Sequence, residues 1–277
     1  MTAHTSRVTV PEFARAKAAG RKLAVLTAYD ATTARLLDRA GVDALLVGDS
    51  VGMVVLGYSS TVPVTMDDML HHTRAVSRGV SRALVIADMP FLSYQVSTRD
   101  AARNAGRLIQ EGGASAVKLE GGRPVVDVVS RLVEIGIPVM GHLGLQPQSI
   151  NQIGSYAKQA TTPSAARTLL EDAQLLQQAG AFAVVLESIP FELAREVSAS
   201  VSIPAIGIGA GPECDGQVLV SHDMLGLFDG FVPSFVKQYA QLSGTILDAA
   251  RSYIEDVRAG RFPESPASVP PLPRAGR

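Results

Sequence analysis

The chain has no tryptophan and a single cysteine, Cys214. One cysteine cannot build an internal disulfide framework, and such sparing use fits a reducing compartment. There is no Cys/His cluster at zinc-ligand spacing. An excess of one charge is missing too: 25 Lys and Arg stand against 26 Asp and Glu, a formal net charge of −1. That balance supplies neither the basic field of a nucleic-acid binder nor a polybasic membrane patch. No apolar run reaches membrane-spanning length. Met1 to Val8 is polar and lacks the apolar stretch of a secretory signal. A cytoplasmic protein is therefore expected. No G-x-G-x-x-G follows an early strand pattern, which weakens a dinucleotide-binding reading.

What the chain does have is apolar residues, 47% of its 277 positions, and a recurring unit. Four stretches share one pattern: Gly41 to Asp49, Gly113 to Glu120, Gly136 to His142 and Gly180 to Glu187. Each runs glycine, short apolar run, polar or charged residue. The glycine suits the left-handed position that ends a helix. The apolar run suits a parallel strand buried on both faces. Before the glycines, Arg99 to Gln110 and Ala165 to Gln178 carry apolar residues at helical spacing. Thr65-Met66-Asp67-Asp68 resembles a capping box with Asp68 in place of Glu. Strands are expected at 23–29, 44–49, 83–88, 115–120, 137–142, 181–187, 203–207 and 217–221. Eight such units in about 250 residues favour a closed (β/α)₈ TIM barrel over an open sheet. The expected domain is 1–262, with a short N-terminal extension. A proline-rich tail follows at 263–277, which holds five of the sixteen prolines.

In such barrels chemistry sits at the C-terminal strand ends. The residues there are Asp30, Asp49, Asp88, Glu120, His142 and Glu187. Lys118 lies two residues before Glu120, so both face one side of the strand. Five carboxylates at one mouth would repel, and a hard divalent cation relieves that; Mg²⁺ takes few carboxylates, several waters and an oxygen-bearing substrate. Ordinary roles compete. Asp30, Asp49 and Asp88 could cap a helix or end a strand, and His142 could bond a backbone group. Cys214 reads as a plain small residue. Gly207-Ile208-Gly209-Ala210-Gly211 either cradles a phosphate or is merely a tight loop. His71-His72 read as the exposed side of a helix start.

These strand-end motifs also resemble a known family. Thr27-Ala28-Tyr29-Asp30, Val47-Gly48-Asp49-Ser50-Val51-Gly52-Met53, Ala87-Asp88-Met89-Pro90-Phe91, Val117-Lys118-Leu119-Glu120-Gly121-Gly122, Met140-Gly141-His142-Leu143-Gly144-Leu145 and Leu186-Glu187-Ser188-Ile189-Pro190 are similar to 3-methyl-2-oxobutanoate (ketopantoate) hydroxymethyltransferases. The matches run in order from about residue 9 to residue 260. The resemblance implies transfer of a hydroxymethyl group from 5,10-methylenetetrahydrofolate to 3-methyl-2-oxobutanoate, giving 2-dehydropantoate for pantothenate synthesis. It implies a Mg²⁺-stabilised enolate and a homodecamer. By motif, Asp49, Asp88 and Glu120 match the family's metal positions. Asp49, Ser50, Asp88 and Lys118 match its substrate-binding positions, His142 a pocket histidine, and Glu187 the proton acceptor. One stretch departs from the family pattern: Gly154-Ser155-Tyr156-Ala157-Lys158-Gln159-Ala160 lacks the usual valine, glycine and arginine, and its lysine is shifted. Two other functions compete. One is a different Mg²⁺-dependent 2-oxo acid C–C lyase of the phosphoenolpyruvate/pyruvate barrel group, which needs no folate. The other is a barrel that only binds.

Overall fold

The repeated units fold as eight strands: β1 (Leu23–Thr27), β2 (Ala44–Val47), β3 (Leu84–Asp88), β4 (Ala116–Glu120), β5 (Val139–Gly144), β6 (Ala183–Glu187), β7 (Ala205–Ile208) and β8 (Gly216–Leu219). The structure, a computed structural model, describes residues 6–264. The expected tail at 263–277 lies outside the described residues from position 265 on. Every strand pairs in parallel with the next, and β8 pairs with β1 to close the barrel. The described residues form two compact units. One runs through Ser221 and includes Ser234–Val236; the other holds His222–Pro233 and the residues from Lys237 on. The barrel belongs to the first.

Alternation along the strands sorts the core into two layers. Leu23, Val25, Ala44, Leu46, Leu84, Ile86, Ala116, Met140, Ala183, Val185, Ile206 and Val218 pack together inside the barrel. Their neighbours Leu45, Val85, Val117, Leu119, Val184 and Leu186 pack outward against helix residues such as Leu108, Leu132 and Leu176. This two-sided burial explains why the strands read as continuous apolar runs.

Helix ends follow the local sequence. The glycines of the four repeats, Gly41, Gly113, Gly136 and Gly180, all have positive φ, as the left-handed turn out of a helix requires. Thr65 and Asp68 form the expected capping box on helix Met66–Gly79. Strand β1 stops at Thr27, short of the expected residue 29. Asp30 there caps helix Ala31–Ala40, accepting from the N–H groups of Thr32 and Thr33. His72 is not simply exposed: its Nδ1 lies 2.7 Å from the Tyr29 carbonyl oxygen.

Helix Val10–Arg15 closes the N-terminal end of the barrel. A Thr9/Glu12 capping box starts it. Its Phe13 is buried with the inner layer, edge-on to Phe182 at a centroid distance of 5.8 Å. Since Phe182 directly precedes β6, this plug sits at the end opposite the charged residues. The chain passes from β7 to β8 without a helix. Among the described residues no helix is long and apolar enough to cross a membrane.

Candidate active site

The inner layer of each strand continues upward into a charged layer. Asp88 follows Leu84 and Ile86 on one face, and Lys118 and Glu120 follow Ala116. His142 follows Met140, and Glu187 follows Ala183 and Val185. The two-residue period therefore delivers all five side chains to one cavity. Asp49 and Ser50 join them from the turn after β2. Gly48 makes that turn fit: a Cβ there would stand 2.7 Å from the Ser50 Oγ and 3.5 Å from the Asp88 Oδ2. Asp49, Asp88, Lys118, Glu120 and His142 are each at most 5% exposed.

A chain of contacts links four of them. The Lys118 Nζ lies 2.9 Å from the Asp88 Oδ1 and 3.2 Å from the His142 Nδ1. The His142 Nε2 lies 3.1 Å from the Glu187 Oε2. An ammonium only donates, so Nδ1 accepts and the ring proton belongs on Nε2, facing Glu187. Burial and the Lys118 charge lower the pKa of His142, so the ring is neutral at physiological pH. Burial alone would also lower the pKa of Lys118, but the carboxylates of Asp88, Glu120 and Asp49 outweigh it and hold the pKa above the usual value. The site keeps one firm cation among its acids.

The acids are under strain of like charge. Burial and the Asp88 charge push Asp49 up to about 7, against the pull of Lys118 and Gln148. Burial and the Asp49 charge raise Glu120 well above its ordinary value. The Asp88 Oδ2 accepts the Asp49 N–H at 3.0 Å. Its Oδ1, though close to Lys118, meets no donor in hydrogen-bond geometry. A buried carboxylate oxygen left without a hydrogen bond, in a cluster with Asp49 and Glu120, suits a cation. Yet among the described residues no three His, Cys, Asp or Glu side chains converge to enclose an ion by themselves. The donors therefore fit Mg²⁺ held by one or two carboxylates, with water and substrate oxygens completing the octahedron.

Asp30 does not reach this cavity; it is the helix cap described above. Sequence reasoning missed Gln148, Tyr94 and Tyr29. The Tyr29 hydroxyl lies 2.8 Å from the Ser50 Oγ. Gln148 is buried and touches both Asp49 and Glu120. Its only trace in the sequence is a polar residue three positions past the Met140–Leu145 motif, just beyond β5. The divergent loop lies beside the end of β6, where Gln159 N–H donates to the Ser188 carbonyl at 2.8 Å and Lys158 sits 4.8 Å above the Phe191 ring. Burial and the charges of Glu187 and Asp49 raise the pKa of Tyr156, so its phenol stands within their field. Ser188, at φ 48°, turns the chain sharply after Glu187.

The Gly207–Gly211 loop is a packing device. A Cβ on Gly209 would stand 2.8 Å from the Phe235 ring, and one on Gly211 would stand 2.8 Å from the Phe191 ring. The loop, the two rings and Lys22 line one cavity. Cys214 is buried, with its thiol pushed up to about 11 by burial and the Asp215 charge. That is an unreactive thiol.

Residues 7–265 match the family profile described as ketopantoate hydroxymethyltransferase. The chain belongs to the ketopantoate hydroxymethyltransferase family. A relative named 3-methyl-2-oxobutanoate hydroxymethyltransferase from Moorella thermoacetica is 57% identical over 262 residues, covering 95% of this chain and 97% of its own. One of the same name from Syntrophus aciditrophicus is 58% identical over 248 residues, covering 90% and 91%. As a member of this family the chain is an enzyme, a hydroxymethyltransferase. Among solved structures, phosphonopyruvate hydrolase in complex with oxalate and Mg²⁺ is similar at TM-score 0.60 and 14% identity, covering 93% of this chain and 90% of that one. 2,3-Dimethylmalate lyase, a PEP mutase/isocitrate lyase superfamily member, is similar at TM-score 0.55 and 19% identity, covering 93% and 92%. Those likenesses concern the barrel alone.

Proposed function

We propose that the enzyme transfers a hydroxymethyl group from 5,10-methylenetetrahydrofolate to 3-methyl-2-oxobutanoate, giving 2-dehydropantoate in pantothenate biosynthesis. The carrying observation is the buried line Asp88–Lys118–His142–Glu187 at the strand ends of a chain from this family. In this reading Asp49, Asp88 and Glu120 would hold Mg²⁺, one or two of them directly and the rest through water. When bound, Mg²⁺ would supply the charge that stabilises the enolate as C3 of the substrate loses its proton.

The chain's own residues do the rest. Asp49, Ser50, Asp88, Lys118 and His142 line the place of the oxo acid. Lys118 adds a fixed positive charge for its oxygens, and the Ser50 hydroxyl can donate to its carboxylate. Glu187 is the base that removes the C3 proton. Its side chain is 18% exposed against 3% for Asp88 and Glu120, so it is the acid of the line that can meet a substrate. The His142 Nε2 stands 3.1 Å from one Glu187 oxygen, outside hydrogen-bond geometry, and leaves the other oxygen for the proton. C3 then bonds to the donated one-carbon unit, water supplies the hydroxyl group, and the two carbon–nitrogen bonds to the folate break, each nitrogen taking up a proton (one from C3, one from water) so that tetrahydrofolate leaves.

We further infer a homodecamer working in the cytoplasm. Exposed Ile246, Leu247, Ile254 and Val257 on helix Leu242–Arg258 support association with further copies, and the single buried cysteine suits a reducing compartment.

The test is exchange of the substrate C3 proton in D₂O without folate. Wild type should exchange, and Glu187→Gln should bind oxo acid and Mg²⁺ but not exchange. Unchanged exchange in Glu187→Gln would refute the base assignment. Turnover of a 2-oxo acid by carbon–carbon cleavage without the folate donor would favour the lyase reading instead.

A further inference from the structure

Gln148 is the most heavily bonded side chain in the cavity that the mechanism above leaves without a task. It is 4% exposed. Its Nε2 donates to the Asp49 Oδ2 at 2.8 Å and to the Met89 carbonyl at 2.9 Å. Its main-chain N–H donates to the Glu120 Oε2 at 3.1 Å. Its Oε1 accepts from the Tyr94 hydroxyl at 2.8 Å and from the Gln95 Nε2 at 3.2 Å.

The amide can sit only one way round. Asp49 and the Met89 carbonyl offer acceptors, so the atom facing them must be the NH₂. The Glu120 N–H donates to the Tyr94 hydroxyl at 3.1 Å, and of the two acceptors within reach of the tyrosine's own proton the Gln148 Oε1, at 2.8 Å, is nearer than the Glu120 carbonyl, at 3.2 Å. Every polar atom of the amide is thus committed. Two of the three carboxylates proposed as metal-holding groups are each tied to this single residue, one through its side chain and one through its backbone. A buried carboxylate needs a donor to hold its direction. A fixed amide supplies one without adding charge.

We propose that Gln148 is a positioning residue: clamped by Tyr94 and Gln95, it aims the Asp49 and Glu120 carboxylates at the divalent cation. This rests on the reading of those carboxylates as the Mg²⁺ site. It does not touch substrate and acts only through the two acids. Outer groups that orient ligands are commonly worth about 10–100-fold in metal affinity.

The experiment is Mg²⁺ titration by calorimetry, without substrate, on wild type, Gln148→Met, Tyr94→Phe and Asp30→Ala. Methionine keeps the volume of Gln148 and removes its amide. Its Mg²⁺ affinity should fall by about 10–100-fold. Tyr94→Phe leaves Gln148 in place but removes one of the two donors to its Oε1, and should weaken binding by a smaller factor. Asp30→Ala loses an exposed helix cap and should bind Mg²⁺ as wild type does. Wild-type affinity in Gln148→Met overturns the proposal, as does an equal loss in Asp30→Ala, which would mark a mere stability effect. If Gln148→Met does not fold, Tyr94→Phe decides, and unchanged affinity there overturns it. If wild type itself binds no Mg²⁺, the reading of the acids as a metal site fails and takes this proposal with it.

Discussion

Replacing Lys118 by methionine should turn the cavity against its own fold, and pH should set by how much. The Lys118 Nζ lies 2.9 Å from the Asp88 Oδ1, with both side chains at most 5% exposed. At an effective dielectric of about 20, that contact alone is worth roughly 5–6 kcal/mol before the cost of burying the charges. Removing one partner of such a buried pair typically costs about 3–5 kcal/mol. Methionine fills the space, so the loss is electrostatic rather than a void. Asp49, Asp88 and Glu120 would then face one another with no cation, and the pKa values of Asp49 and Glu120 would rise further. Asp49 already sits at about 7 with Lys118 present. Acids with raised folded pKa values bind protons that the unfolded chain does not. Stability therefore grows as pH falls through those values and declines as pH rises. Urea unfolding of wild type and variant should show the full gap at about pH 8, shrinking by roughly 1.4 kcal/mol per pH unit per proton taken up on the way to pH 6. Added Mg²⁺ should narrow it at the higher pH by binding only the folded form. A gap of the same size at both pH values, or none, would refute this account of the cavity.

Asp88→Ala should weaken Mg²⁺ binding in calorimetry, and a wild-type titration would contradict its ligand role. Asp30→Ala should cost about 1 kcal/mol in urea unfolding, because the residue caps helix Ala31–Ala40. It should leave C3 proton exchange intact; a loss of exchange would bring Asp30 back into the site. Asp223 is 7% exposed, its Oδ1 meets no hydrogen-bond donor among the described residues, and burial lifts its pKa to about 6. Asp223→Asn should therefore stabilise the protein at neutral pH by roughly 2 kcal/mol. The benefit should vanish as pH falls from about 6 toward 4, where the wild-type carboxyl takes up its proton. An Asn variant no more stable at neutral pH would show that the carboxylate is satisfied in the wild type.

The barrel was legible because its strands are buried on both faces, which turns Ala44–Val47 or Ala183–Leu186 into short apolar runs between a glycine and a charge. The polar line was legible for the same reason. Lys118 and Glu120, two apart, could only share a face, and the structure shows that face to be the interior. Local signals succeeded where the physics is local, as at the Thr65/Asp68 box. They failed where a partner comes from far along the chain. Gln148 lies 99 residues from Asp49, and nothing in a neutral amide beside a proline announces that it will be sealed under two acids. The glycine-rich loop stayed ambiguous because its meaning depends on Phe191 and Phe235, whose rings arrive from other segments. The Phe13 plug was likewise invisible, since a six-residue helix can end a barrel or lie idle with the same sequence.

The two inner layers separate heritable risk from heritable opportunity. Below, Leu84, Ile86, Met140 and Val185 answer to packing; above, Asp88, His142 and Glu187 answer to chemistry, although each is only two residues further along the same strand. A lineage can therefore exchange the upper residue of a strand while leaving the lower ones to hold the barrel shut. Barrels of this shape at 14% and 19% identity carry the names of a hydrolase and a lyase.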